Sequence, residues 1–310
     1  MEKNAQAPGT ISPANTTIGL VGVGNMGNPM AANLIKAGWK VSVYDTDTAK
    51  TRAFVESHGG AAPRTLDELA RKSNVVITIL PDGFIVRKVA LGAAKGDDCL
   101  AKGLAKGAVL IDMSSSSPVG TRALGPQLAG LGISLLDAPV SGGVKGAVAG
   151  TLAIMIGGDR ELARNCDTLL SAMGRRFYVG TLGSGHAAKV LNNYVSAAGL
   201  AAAAEAMLIA QRFGIEPPVL LDVLNASSGR NNSTENKFAQ YIFNRKFNSG
   251  FALGLMAKDV ALAMEVAQAC DVPAELGHAT LQIWKEAESA IGGKADHTEI
   301  ARFVDDTVAR

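Results

Sequence analysis

The sequence predicts an α/β protein: an N-terminal doubly wound sheet followed by an all-helical domain, joined by one long helix. Three observations carry this. Short apolar runs alternate with helical segments from residue 17 to 182, the order that builds parallel βαβ units. Residues 184–213 are good helix formers without a proline, a helix roughly 45 Å long at 1.5 Å per residue. Beyond residue 213, Pro217-Pro218 breaks that helix and no strand pattern follows. The 310 residues suffice for two cores. The expected division is a disordered leader at 1–16, a sheet domain at 17–182, a connecting helix at 183–213 and a helical domain at 214–310.

Residues 17–21 read as a buried strand running into Gly22-Val23-Gly24-Asn25-Met26-Gly27. A helix follows to Lys36, stopped by Gly38, and a second strand at 40–44 ends at Asp45. Strand, G-x-G-x-x-G, helix, strand, acid is the order of a dinucleotide-binding Rossmann-type unit. Gly22 permits the tight turn, Gly24 lets backbone approach a pyrophosphate, and Gly27 lets helix and strand pack closely. The helix N-terminus then offers unpaired N–H groups and the positive dipole end to the phosphates. Asp45 suits the ribose hydroxyls and repels a 2′-phosphate. No arginine stands at 46 or 47, so NAD is favoured over NADP.

The alternation continues with helices at 48–57 and 66–71 and a strand at 75–80 that stops at Pro81-Asp82-Gly83. Helical segments at 84–91 and 100–104 precede a strand at 108–111. Asp112-Met113-Ser114-Ser115-Ser116-Ser117-Pro118 leaves that strand and opens a helix. The serines read equally as turn and N-cap residues or as ligand contacts at the edge where the glycine loop lies. Asp137-Ala138-Pro139-Val140-Ser141-Gly142-Gly143 exposes several backbone N–H groups in a concavity suited to a carboxylate. Strand 152–156, helix 161–173 and strand 177–179 complete the sheet.

At the start of the long helix, Lys189, Asn192 and Asn193 share one face by their spacing of three and four. A lysine that burial deprives of part of its ordinary pKa becomes a usable base, which makes this end the candidate catalytic one. Small residues from Ala197 to Ala204 let another backbone come close. In the helical domain, Lys258-Asp259 stands within an apolar segment, 251–266, as a plain surface pair or a functional one.

Net charge is +2 without a basic block, which points away from nucleic acid and anionic membrane surfaces. Cys99, Cys166 and Cys270 are far apart, with neither a disulfide framework nor metal-ligand spacing, so no metal and a cytoplasmic location are expected. The polar leader lacks the apolar centre of a signal peptide, and no apolar run approaches the roughly 20 residues that a membrane span needs.

With these motifs in order, the chain resembles the β-hydroxyacid dehydrogenases, relatives of 6-phosphogluconate dehydrogenase, from about residue 17 to the last helices. The resemblance implies a dinucleotide in the Gly22–Gly27 loop, with Leu80, Pro81 and Ser114 also at the cofactor. It implies Ser141, Gly142 and Gly143 on the substrate, Lys189 as general acid/base, Asn193 holding substrate, and Lys258 closing over the cofactor. It further implies hydride transfer on a small 3-hydroxy or 3-oxo acid, of the 3-hydroxyisobutyrate or tartronate semialdehyde type, and a homodimer or homotetramer associating through its helical domains. His186 and Arg230 with Asn231, Asn232 and Ser233 are plausible substrate selectors. Two other readings are an imine reductase, against which Lys189 and Asp45 both count, and a non-catalytic dinucleotide-binding module, which would not need Lys189.

Overall fold

The structure, a computed structural model, describes residues 11–308. It divides into two compact units with the boundary between Lys189 and Val190, inside the helix Ser184–Phe213. Of the expected leader, residues 1–10 lie outside the described residues. Residues 11–16 correct the expectation of disorder: they form a turn whose Asn15 Oδ1 accepts from the Ser12 N–H at 3.0 Å and the Thr16 hydroxyl at 2.7 Å. Ile11 is buried, and its N–H donates to the Asn165 carbonyl.

The first unit holds one eight-stranded sheet. Its strands are β1 (Thr17–Val21), β2 (Lys40–Tyr44), β3 (Val75–Thr78), β4 (Val109–Asp112), β5 (Ser134–Asp137), β6 (Val140–Ser141), β7 (Leu152–Gly157) and β8 (Gly174–Gly180). The order is β2-β1-β3-β4-β5-β7-β6, with β8 also on β7. β1 to β5 are all parallel, and β3 and β4 are buried at every residue. That matches their uninterrupted apolar sequences, since a parallel strand is covered on both faces.

Beyond β5 the sheet is mixed. β7 runs antiparallel to β5 and β6, and β8 is parallel to β7. β6 continues β5 past Ala138 and Pro139 in the same direction, since Asp137 opposite Gly157 and Val140 opposite Ile154 keep one antiparallel register against β7. The helix expected over 161–173 is two short ones, Arg160–Asn165 and Asp167–Ser171, divided at the fully buried Cys166.

In the second unit, helices Pro217–Ala226, Leu253–Ala269, Glu275–Ile291 and Ile300–Val308 surround Trp284, which is fully buried. The long helix contributes Ala197, Leu200, Ala203, Ala204 and Met207 to this core. By length and composition alone that helix could cross a membrane, contrary to the sequence reading, but these five residues make it a core helix of the helical unit.

A polar knot ties the turn at Ser249-Gly250 to the segment 296–298. The Asp296 carboxylate accepts from the Ser249 hydroxyl at 2.8 Å and from the backbone N–H groups of Gly250 and Thr298, at 2.8 and 3.0 Å. Burial works to raise its pKa, but these bonds and the Thr298 hydroxyl hold it below the usual carboxylate value. His297 beside it is driven down from 6.5 to about 4, by burial first and then by the charge of Lys237. The folded protein therefore keeps this imidazole neutral, while the unfolded chain takes up the proton. Stability from this group is complete above pH 6.5 and is lost as pH falls towards 4, by on the order of 3 kcal/mol. Urea unfolding at a series of pH values should show that slope, and His297→Gln should flatten it between pH 6.5 and 4. An unchanged slope would mean that other groups control acid stability.

Candidate active site

The glycine loop joins β1 to the helix Gly27–Lys36. Gly22 has φ +102°, and a Cβ there would strike the Ile79 carbonyl oxygen. Gly27 has no room because its Cβ would fall on the Gly22 carbonyl oxygen. These two glycines are required by the fold. Gly24 is different: it lies exposed beside exposed Asn25, and a Cβ there would meet no atom within 4 Å. Nothing in the protein itself needs that glycine, so the open space fits a group brought in from outside. Val23 is buried and Met26 half-buried, where they brace the loop. Met26 ends the loop without a side-chain cap, and the first helical turn holds no acid, so the helix N-terminus remains suited to phosphate.

Asp45, half-buried at the end of β2, accepts from the Val23 N–H at 2.8 Å and the Asp47 N–H at 2.9 Å. It thus ties the glycine loop to its neighbouring strand, and each carboxylate oxygen keeps a further lone pair for a ribose hydroxyl. Across the sheet, the Leu80 N–H donates to the Ser114 hydroxyl at 2.9 Å, which fixes the Leu80-Pro81 turn to the end of β4. Leu80 is half-buried, Pro81 exposed and Ser114 buried. Ser117 caps the helix Pro118–Ala129, so the serine run is used in part for capping.

Two buried aspartates, whose roles the sequence reading did not assign, set the base of the site. Asp112 accepts from the Thr78 hydroxyl at 3.0 Å, the Ser114 N–H at 3.0 Å and the Ser116 hydroxyl at 2.7 Å. Asp137, fully buried at the end of β5, accepts from the N–H groups of Gly183 and His186, both at 2.8 Å. A carboxylate at those N–H groups satisfies the opening turn of the long helix and complements its dipole. His186 belongs to this anchor. It is fully buried, with Nδ1 2.8 Å from the Thr121 hydroxyl and Nε2 3.6 Å from Asp112 Oδ2. Three residues on, Lys189 is half-buried.

Gly142 and Gly143 both take left-handed backbone, with φ +127° and +60°, at the start of the helix Gly143–Ala149. Both are exposed, Ser141 beside them is half-buried, and a Cβ at Gly143 would meet nothing within 4 Å. Successive N–H groups in such a turn form an anion-binding concavity.

On its own side of the boundary, the helical unit fixes the orientation of Asn193. Its amide donates to Asp259 Oδ2 at 2.6 Å, and both residues are buried. The Asn192 amide donates to Asn193 Oδ1 at 3.1 Å. The Lys258 ammonium lies 3.6 Å from Asp259 Oδ1 and is about a quarter exposed. Asp259, which the sequence offered only as the second member of a charge pair, is the residue that orients Asn193. Of the expected selectors, Asn231 is the N-cap of the helix Asn232–Asn236 in a capping box with Thr234, and Arg230 and Asn232 are exposed.

Five parallel strands with this loop and an acid at the end of the second strand define a dinucleotide-binding unit. Residues 17–183 match the NAD-binding domain of 6-phosphogluconate dehydrogenase, and residues 183–304 match the NAD-binding domain of NADP-dependent 3-hydroxyisobutyrate dehydrogenase. The chain is 35% identical to a 2-(hydroxymethyl)glutarate dehydrogenase of Eubacterium barkeri, over 92% of this chain and 93% of that one. It is also 35% identical to an NAD-dependent L-serine dehydrogenase of Pseudomonas aeruginosa, over 94% and 98%. The solved 3-hydroxyisobutyrate dehydrogenase of Mycobacterium tuberculosis with L-serine superposes with a TM-score of 0.85 at 34% identity, covering 93% of this chain and 99% of that one. The chain belongs to the β-hydroxyacid dehydrogenase family, an enzyme of the class that acts on CH–OH groups with a pyridine nucleotide.

Proposed function

We propose that the protein oxidises the hydroxymethyl group of a small acid HOCH2–CH(R)–COO⁻, or reduces the matching semialdehyde, with NAD and with Lys189 as general acid/base. The three relatives above are named for substrates of this one pattern, with R a methyl, an amino or a carboxyethyl group. The observation that carries the reading is the long helix itself, whose opening turn Asp137 satisfies and on whose face Lys189 and Asn193 follow at i, i+4.

Within this reading, the backbone N–H groups at Ser141, Gly142 and Gly143 hold the carboxylate. Neutral Lys189 takes the hydroxyl proton during oxidation and, once protonated, returns one to the developing alkoxide during reduction. Asn193, held by Asp259, donates to a substrate oxygen without adding charge. The nicotinamide, when bound, supplies the hydride acceptor. Turnover of the three acids with each dinucleotide tests the reading, and inactivity on all of them would overturn it. The exposed apolar residues Leu191, Val195, Ile209 and Phe213 along the long helix favour association of like chains into a dimer or tetramer.

Asp45 supports NAD over NADP, because a 2′-phosphate would meet its carboxylate. The expected result is a higher kcat/KM with NAD, and Asp45→Ala should narrow that gap by about tenfold or more, as removal of a like-charge clash implies. A wild-type preference for NADP would refute the assignment.

A further inference from the structure

Among the described residues, the helical unit buries a cation that the proposed reaction does not use. Lys237 stands where the helix Asn232–Asn236 gives way to a π-helix, Phe238–Ile242, and only about 9% of it is exposed. An ammonium has three donors. Lys237 makes one long bond, to the Ser196 hydroxyl at 3.4 Å, and among the described residues no carboxylate lies within ion-pair distance of it. Asp296 is near enough to be felt, but its oxygens already accept from Ser249, Gly250 and Thr298. His297 is held neutral, so Lys237 is the positive charge of this cluster. Burial brings Lys237 down from 10.5 to about 8, which leaves it mostly protonated at neutral pH. One turn earlier, Ser233 is about 1% exposed, and its hydroxyl has no hydrogen-bond partner. A buried charge and a buried hydroxyl each cost free energy when their bonding capacity goes unused. Two such groups one turn apart mark a place for an anion.

The position relative to the chemistry follows from the long helix. Ser196, which Lys237 reaches, is three residues beyond Asn193 and seven beyond Lys189, on the same stripe of that helix. The axial separation from Lys189 to Ser196 along that one helix is roughly 10 Å. We infer that Lys237, with Ser233, is a specificity-determining anion site, and that the preferred substrate carries a second carboxylate at the end of its R group. This rests on the proposed reaction, because it assigns the far end of the same substrate. It disfavours an R group that is itself a cation, and it leaves a methyl group without a partner for the lysine.

The test compares the three acids with R as methyl, amino and carboxyethyl, using wild type, Lys237→Met and Lys237→Arg. Wild type should favour the diacid by kcat/KM. Lys237→Met should cut kcat/KM for the diacid by at least about tenfold, mainly through KM, as loss of a desolvated charge contact implies. The methyl substrate should change by less than about threefold, and Lys237→Arg should keep much of the diacid preference. Competitive inhibition of the wild type by glutarate, set against butyrate, reads the same site without any variant, and glutarate should bind the tighter. Equal losses on all substrates in Lys237→Met, or glutarate binding no better than butyrate, would make the lysine a packing residue and overturn the inference. Turnover of the methyl or amino acid without a preference for the diacid would overturn it while leaving the proposed reaction standing. Inactivity on all three would overturn both.

Discussion

Lys189→Ala should leave the protein folded and able to bind dinucleotide, but lower kcat by at least about 10²-fold, the lower end of what one general acid–base group contributes. The substitution is mild for the fold. Alanine is the best helix former, and Lys189 is half-buried rather than part of a core cluster. The opening turn keeps its anchor, because Asp137 holds it through backbone N–H groups that alanine does not touch. Lys189→Arg should fare little better, since a guanidinium stays protonated and cannot take the hydroxyl proton. Asn193→Ala should cost less than Lys189→Ala, because in the proposed reaction the amide held by Asp259 only positions the substrate and transfers no proton. In the wild type, the rate of oxidation should rise with pH through one ionisation, and that limb should vanish in Lys189→Ala. Near wild-type turnover by the alanine variant would reduce Lys189 to a charge on a helix face.

What could be read from the residues alone was whatever local backbone chemistry dictates. The glycine loop was legible because its glycines, the helix after it and Asp45 fall within one βαβ unit, where sequence order and spatial order coincide. The left-handed turn at Gly142 and Gly143 was legible for the same reason: paired glycines after a strand announce backbone that only glycine adopts readily. Long-range partners were not legible. Nothing in the run from Asp137 to Gly143 indicates that Asp137 would meet N–H groups 46 and 49 residues further on. Asp259 and Asn193, 66 residues apart, are the same case. The mixed half of the sheet was not legible because the direction of β7 is set by its pairing with β5 and β6, which its own residues do not encode. Nothing near Lys237 in the sequence marks it, since its burial depends on packing against residues distant in the chain.

Gly24→Val and Gly27→Ala, two substitutions within one motif, should fail in opposite ways. At Gly24 a side chain meets nothing in the protein, and the residue is exposed, so the variant should unfold at close to the wild-type temperature. Its side chain would occupy the space that a pyrophosphate needs in order to reach the loop N–H groups. Each such bond to a charged group is worth about 1.5–3 kcal/mol, so losing one should weaken dinucleotide binding by roughly 10- to 100-fold. At Gly27 even a methyl group would collide with the Gly22 carbonyl oxygen and lie 2.8 Å from Ile79 Cγ2. The helix Gly27–Lys36 would have to move off β1 and β3, which costs roughly 1–3 kcal/mol as overpacking does. That variant should lose stability and affinity together. Thermal unfolding with and without NAD, alongside a binding titration, separates the two outcomes. If Gly24→Val binds NAD as tightly as the wild type, the open space above the loop is not where the phosphates sit, and the cofactor assignment of the whole Gly22–Gly27 segment fails with it.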